Sequence, residues 1–298
     1  MTKRLKITFG APKTSYLHAG DVLELQLKVP HLGGAAEESY SCDAPSIETT
    51  GAFAIMHGSR QTMGVCVVPV RFPLQETIYQ VYRELLEICQ GRTIYRIWNF
   101  VPFINAETEG LENYKSFSIG RSMAFERAFG QQFHQVLPAA SAVGVEDNVF
   151  ALYFVAGFED ATHVENPEQV SAFKYPTEYG PRPPSFARGT RVEGDRVSAY
   201  ISGTAAIKGH ESQGVDCPQK QCAITFENLD LVAREMNLCL AQLPAEQRRF
   251  KVYVRNRKDA ESLMTQCTAH FGPHAQVTYL LADICRADLL VEIEASLG

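Results

Sequence analysis

Apolar residues along the chain change their spacing in a repeating way. In LQETIYQVYRELLEICQG (74–91), Ile78, Val81, Tyr82, Leu85 and Leu86 recur at three- and four-residue intervals up to Gly91, which predicts a helix. RTIYRIWNFVPFIN follows as a strand, NYKSFSIGRSMAFERAFG (113–130) as a second helix, and LPAASAVGVEDNVFALYFVAG (137–157) as two strands. The second half runs in the same order. CAITFENLDLVAREMNLCLAQL (222–243) has helical spacing, RFKVYVRN alternates as a strand, DAESLMTQCTAHFG (259–272) is a helix, and AQVTYLLADICRADLLVEIEASLG supplies two closing strands. FERAFG lines up with CTAHFG, and SAYISGTAAIKGHE (198–211) reads as the hairpin preceding the second unit. This repeat predicts an α+β architecture of two tandem units, each a mixed sheet with two helices on one face. Within the first fifty residues only DVLELQLKV reads clearly, as a strand.

The organisation expected is an N-terminal unit over 1–157, a connecting segment over 158–190 and a C-terminal unit over 191–298. The connection is rich in Pro, Gly and polar residues, and a long ordered loop is more often functional than idle. On the final strand, Leu289, Val291 and Ile293 share one side while Leu290, Glu292 and Glu294 share the other. Two carboxylates at one parity of an apolar strand lie either on a solvated face or in a site.

Composition narrows the function. With 298 residues and a net charge of −6, the chain has no basic footprint for nucleic acid, so an anionic ligand requires local arginines. No run of eighteen apolar residues and no signal-like start is present, giving a cytoplasmic expectation without a membrane partner. The eight cysteines include no CxxC pair, and Cys217 and Cys222 read as ordinary thiols rather than zinc ligands. P-loop, GxGxxG, GxSxG and HExxH patterns are absent, so neither a cofactor nor a metal is expected.

The chemistry-bearing clusters are modest. KYPTEYGPRPPSFARG (174–189) sets Tyr175, Tyr179, Arg182 and Arg188 on proline-stiffened backbone, a candidate anion clamp. Tyr114, Phe117 and Arg121 share a helical stripe that reads as a pocket edge or as surface. Gly203 within a strand marks a bulge or a close approach to the backbone. His210, following Gly209, reads as a turn residue.

In combination, YRIWNFVPFIN, GLENYKSFSIGR, PPSFARGT, ISGTAAIKGHES and CRADLLVEIEA, in that order, resemble the chorismatase family, from about Phe53 to the C-terminus. The second half is also similar to the YjgF/Rid family of imine deaminases, and chorismatases resemble two such (chorismate mutase-like) units fused. The resemblance implies conversion of chorismate to pyruvate and a ring product, starting with protonation of the enol ether methylene. Glu292 matches the family's acid, and Cys285 the thiol of its benzoate-forming branch. The second marker falls at Ala205, or at Ala206, where alanine is the hydrolytic form. Cysteine with alanine resembles bifunctional bacterial enzymes that yield both 3- and 4-hydroxybenzoate. By the same resemblance Arg121, Arg188, Tyr114 and Tyr175 bind substrate, with Gly203 and Ala205 lining the pocket.

Three alternatives stand beside 3-hydroxybenzoate formation. Hydrolysis would leave pyruvate and a dihydroxycyclohexadiene carboxylate. An imine deaminase would share the terminal glutamate, but the arginine it needs on the preceding strand is missing from AQVTYLLAD. A non-catalytic binding protein is the third. Monomer and homotrimer are equally compatible with fused units.

Overall fold

The computed structural model describes residues 2–194 and 198–298. Its helices fall where the periodicity puts them: α1 at Gln75–Ile88, α2 at Asn113–Phe129, α3 at Pro218–Glu235 and α4 at Ala260–Phe271. The apolar stripe of α1 is buried at Ile78, Val81, Tyr82, Leu85 and Leu86. Gly130 and Gly272 take positive φ directly after α2 and α4, a backbone conformation that ends a helix at little steric cost. The third helix differs from expectation at both ends. Pro218 starts it four residues early, where its missing N–H costs nothing, and Asn237 at φ 56° stops it before Leu243. No helix among the described residues is long and apolar enough to cross a membrane.

Strand pairing shows the repeat. The first unit's sheet has the order Ala139–Val145, Thr93–Pro102, Val149–Gly157, Gln61–Pro69, Phe53–His57, Glu48–Thr50. The second runs Gln276–Leu281, Arg248–Val254, Val291–Leu297, Ala199–Ala205, Gly189–Val192, Ala161–Val164, with His31–Gly34 added beside Gln276–Leu281. Counted from the end of each unit, the strands take the same places, including one parallel pair after α2 and one after α4. The tandem α+β arrangement is therefore present as expected.

The second hairpin is not. Ala199–Ala205 pairs with Gly189–Val192 upstream of it, while Ile207–Lys208 turns into a separate two-stranded ribbon with Glu211–Ser212. The Asn228 amide takes up the carbonyls of Ala205 and Ile207 at 2.9 and 3.0 Å, where the ladder ends. The connecting segment thus starts as an edge strand of the second sheet, Ala161–Val164, and finishes in the strand next to it, Gly189–Val192.

Residues 3–42 contribute a four-stranded sheet of Ser15–Ala19, Val22–Leu27, Lys3–Phe9 and Glu37–Cys42. Its Leu5, Ile7, Leu23 and Leu25 pack in one cluster with Trp98, Phe100 and Tyr153 of the first sheet and Tyr200 and Tyr253 of the second. The helices cover the other faces, α1 and α2 on the first sheet and α3 and α4 on the second. The N-terminal sheet therefore closes the faces that the helices leave bare. Leu25→Ala, at a fully buried position, is expected to cost about 3 kcal/mol in urea unfolding. Leu17→Ala, at a position 39% exposed, should change stability by less than about 0.5 kcal/mol, and equal effects would mean that this sheet is not part of the core.

Candidate active site

The terminal strand Val291–Leu297 lies between Ala199–Ala205 and Arg248–Val254. Val291 and Ile293 point into the helix-covered cluster, which leaves Glu292 and Glu294 on the opposite side. That side is not solvated: the two glutamates are 4% and 2% exposed.

Their surroundings differ sharply. Glu294 accepts hydrogen bonds from Arg96 Nη2 at 2.8 Å, Trp98 Nε1 at 2.6 Å, Tyr253 Oη at 3.2 Å and the Ser141 hydroxyl. Lys251 Nζ lies 2.8 Å from Glu294 Oε1 and 2.7 Å from Glu38 Oε1. Burial alone would raise the pKa of Glu294, but Lys251 and Arg96 outweigh it and hold the carboxyl below its ordinary value. Glu292 has no such partners, and its Oε1 makes no hydrogen bond among the described residues. Burial, reinforced by the charge on Glu294, pushes its pKa up to about 8. One strand thus carries an ionised carboxylate and, two residues away, a carboxylic acid that keeps its proton at neutral pH.

Backbone makes the room for this acid. The pairing of Ala199–Ala205 with the terminal strand shifts register between Ile201 and Thr204, which places the expected irregularity at Gly203. A Cβ on Gly203 would stand 2.1 Å from Glu292 Oε1. The Gly203 N–H donates to Ser141 Oγ at 3.0 Å, tying the bulge to the Glu294 network.

Glu292 lies in the wall of a cavity of about 390 Å³. Of the residues expected at a site, Glu292, Cys285, Arg188, Tyr114, Tyr175, Gly203 and Ala205 line it together. Ala205 is the wall residue and pairs with Glu292 across the ladder, whereas Ala206 is not in the wall. Arg188 Nη2 donates to Tyr175 Oη at 2.7 Å, and Arg188 Nε is buried without a partner among the described residues. Burial, aided by Glu292, raises the Cys285 thiol to about 12, so it is present as S–H.

Arg121 stands apart, in a chamber of about 30 Å³ that shares Tyr114, Pro184, Phe186, Gly203, Cys285 and Glu292 with the main cavity. It is 2% exposed and packs over the rings of Tyr82 and Phe125. Arg121 Nε and Nη2, Ser118 Oγ and Ser185 Oγ are buried without partners among the described residues, and all three residues line this chamber. Buried polar atoms left unpaired are costly, so the chamber is built for an anionic or strongly accepting guest.

Arg182 does not join the clamp. It turns to Glu126 at 2.5 Å, on the surface, because that carboxylate on α2 lies within its reach. Arg286, adjacent to Cys285 and unmarked in the sequence reading, takes the place. It sits over Tyr179 at 4.0 Å and Tyr175 at 5.1 Å, donates to His210 O at 2.8 Å, and keeps Nη2 buried and unpartnered. The signal available was its position beside the marker thiol.

The geometry yields a test by substitution. Gly203→Ala is expected to fold and yet lose most activity, by about a hundredfold, because the added methyl displaces the Glu292 carboxyl. Full activity in Gly203→Ala, measured alongside an unchanged melting temperature, would show that Glu292 does not act from this position.

Known proteins supply the context. Residues 38–156 match the model described as Chorismatase FkbO/Hyg5-like, N-terminal. A 3-hydroxybenzoate synthase of Streptomyces hygroscopicus is 39% identical over 228 residues, 72% of this chain and 66% of that protein. A chorismatase of Streptomyces rapamycinicus is 36% identical over 227 residues, 73% of this chain and 67% of its own length. The alignments thus span about two thirds of these relatives. A chorismatase crystal structure superposes with a TM-score of 0.89 at 27% identity, covering 99% of this chain and 92% of the other. By shared sequence over most of its length, and by shared fold over nearly all of it, the chain belongs to the chorismatase family.

Proposed function

We propose that the protein converts chorismate to pyruvate and 3-hydroxybenzoate, with 4-hydroxybenzoate as a second product, in the cytoplasm and without a cofactor. The observation that carries this reading is Glu292: a buried carboxyl, held protonated beside an ionised neighbour, in the wall of a cavity that also presents arginines. Chorismate offers the matching groups, an enol ether to protonate and two carboxylates to bind. Its relatives' names, 3-hydroxybenzoate synthase and chorismatase, point the same way.

In the reaction proposed, Glu292 gives its proton to the terminal methylene of the enol ether, and positive charge develops at the adjacent carbon and its oxygen. The ether bond to the ring then breaks and the side chain leaves as pyruvate. In the intramolecular route the ring's own hydroxyl, rather than water, takes over the vacated carbon, and the ring loses one proton as it becomes aromatic. That proton restores Glu292, so the atoms of chorismate divide between the two products with nothing added. The Arg121 chamber receives the side-chain carboxylate next to the acid, while Arg188 and Arg286 receive the ring carboxylate across the main cavity. Tyr114 and Tyr175 form aromatic walls, and the Cys285 S–H, in contact with the cavity, steers the ring chemistry.

The decisive experiment is incubation of the purified protein with chorismate, with chromatography of the ring products and an enzymatic assay of pyruvate. Pyruvate with 3-hydroxybenzoate is expected; absence of pyruvate would overturn the reading. Glu292→Gln should bind substrate and fold while losing turnover by about a thousandfold. In the parent, kcat should hold level below about pH 8 and fall above it as Glu292 ionises. Stability follows the same group. Between about 4.5 and 8 the folded state retains a proton that the unfolded chain has released, so stability falls as pH rises through that window, and Glu292→Gln should remove that part of the slope. Cys285→Ala should shift the products toward the non-aromatic diene more than it changes pyruvate release, and unchanged products would take the thiol out of the account.

A further inference from the structure

Cys285 sits in the loop between the last two strands, residues 282–290, and this loop is held by one guanidinium. Arg255 follows the strand Arg248–Val254 and is not part of the cavity wall. Its Nε donates to Leu289 O at 2.7 Å. Its Nη2 donates to Ile284 O and to Arg286 O, both at 2.9 Å. Its Nη1 reaches Asp283 Oδ1 at 2.5 Å and Asn105 Oδ1 at 3.1 Å. A guanidinium has five N–H groups, and these contacts use them all.

The two carbonyls gripped by Nη2 belong to the residues immediately before and after Cys285. A planar fork across them fixes the path of the backbone at the thiol, and with it the direction of the Cα–Cβ bond. The Arg286 side chain, donating to His210 O, holds the segment after Cys285 from the cavity side, and other anchors hold the two ends of the loop. Gly144 N donates to Asp283 O at 2.7 Å, and Gln221 takes Asp288 O at 2.8 Å and Leu290 N at 2.7 Å. The bond to Asn105 also ties the loop to the first unit, whose Glu112 on the cavity rim receives the Asn105 amide at 3.2 Å. The Arg255 side chain is 14% exposed while that of Asp283 is 48% exposed, so the ion pair is partly solvated and the carbonyl contacts set the geometry.

We propose that Arg255 is a positioning residue for product choice, which holds the Cys285 thiol against the reacting ring without touching substrate. The proposal rests on the reading that Cys285 steers the ring chemistry. Lysine cannot replace this set of contacts, because one ammonium nitrogen that bridges the two flanking carbonyls cannot also reach Leu289 O, Asp283 and Asn105, which Nε and Nη1 hold.

The test measures the ratio of 3-hydroxybenzoate to diene product for the parent, Arg255→Lys, Arg255→Gln, Cys285→Ala and the Arg255→Gln/Cys285→Ala double variant, with thermal melting as the check on folding. Loosening the thiol by about 1 Å is enough to change a positioned step by a large factor, so the aromatic share is expected to fall by about tenfold in Arg255→Gln while KM moves by less than about threefold. In the Cys285→Ala background, Arg255→Gln should shift the ratio no further, because the arginine acts through the thiol. An unchanged ratio in folded Arg255→Gln overturns the proposal, as does a second, additive shift in the double variant. Should Arg255→Gln fail to fold, Arg255→Lys carries the same comparison, with an unchanged ratio again overturning the proposal. A silent Cys285→Ala beside a shifted Arg255→Gln would refute the steering role of the thiol and, with it, action through the thiol. A shifted Cys285→Ala beside a silent Arg255→Gln would leave the thiol's role standing and remove only the arginine's.

Discussion

An ionised carboxylate in the interior is tolerated only if its surroundings replace water, and Glu294 is the place where this protein meets that requirement. Its donors arrive from separate parts of the chain: Arg96, Trp98 and Ser141 from the first sheet, Lys251 and Tyr253 from the second. Glu38 of the N-terminal sheet balances Lys251 at 2.7 Å. Glu38, Lys251, Glu294 and Arg96 sum to zero charge, so the cluster is neutral once Glu292 holds its proton. Such a network adds little net stability compared with an apolar core of the same shape, but losing one member strands a buried charge at a cost of about 3–5 kcal/mol. It therefore acts chiefly as a lock on how the three sheets sit together.

The acid inherits its chemistry from this lock. Glu292 makes no ion pair with the described residues; burial favours its neutral form, and the negative charge on Glu294 adds to that preference. The cavity and the chamber beside it add donors without a partner among the described residues: Arg121 Nε and Nη2, Arg188 Nε and Arg286 Nη2. A fold optimised for stability would pair these groups internally. Buried donors of this kind are costly unless an acceptor meets them, which is why these positions stand out as candidates for contact with an anion.

Much of this was readable in the sequence, and what escaped did so for physical reasons. Helix periodicity, the repeat and the parity of Glu292 and Glu294 depend on local geometry alone, and they survive in the structure. The parity argument applies equally to Arg96 with Trp98 in YRIWNF and to Lys251 in RFKVYV, polar residues on inward-facing positions of apolar strands; partnering them with Glu294 needs the third dimension. Ser141 gave no signal, because a serine in AASAVGV is common on any small-residue strand. Arg182 and Arg286 changed places because local sequence records where an arginine lies along the chain and not which carboxylate lies nearest. The hairpin expected before α3 is absent for a related reason: the end of Ala199–Ala205 is decided by the Asn228 side chain, which comes from a helix more than twenty residues away.

The repeat itself shows how the two units differ at the acid. In the first unit, Arg96 stands opposite Val155 and Trp98 opposite Tyr153; in the second, Lys251 stands opposite Glu294 and Tyr253 opposite Glu292. If the central strands are superposed by these pairs, the positions of the two glutamates are occupied in the first unit by Tyr153 and Val155, both fully buried in the shared core. Tyr153 stacks on Trp98 at 4.3 Å and receives a hydrogen bond from Lys251 at 2.6 Å, so it serves the network and not a second cavity. The second unit carries both carboxylates, with Lys251 and Tyr253 beside Glu294, and the first unit adds the guanidinium, indole and hydroxyl of Arg96, Trp98 and Ser141. Two identical units could not divide the work in this way, because every glutamate would then face another glutamate's surroundings. Fusion in one chain lets the two units differ, and the second unit can carry a buried carboxyl that holds its proton at neutral pH.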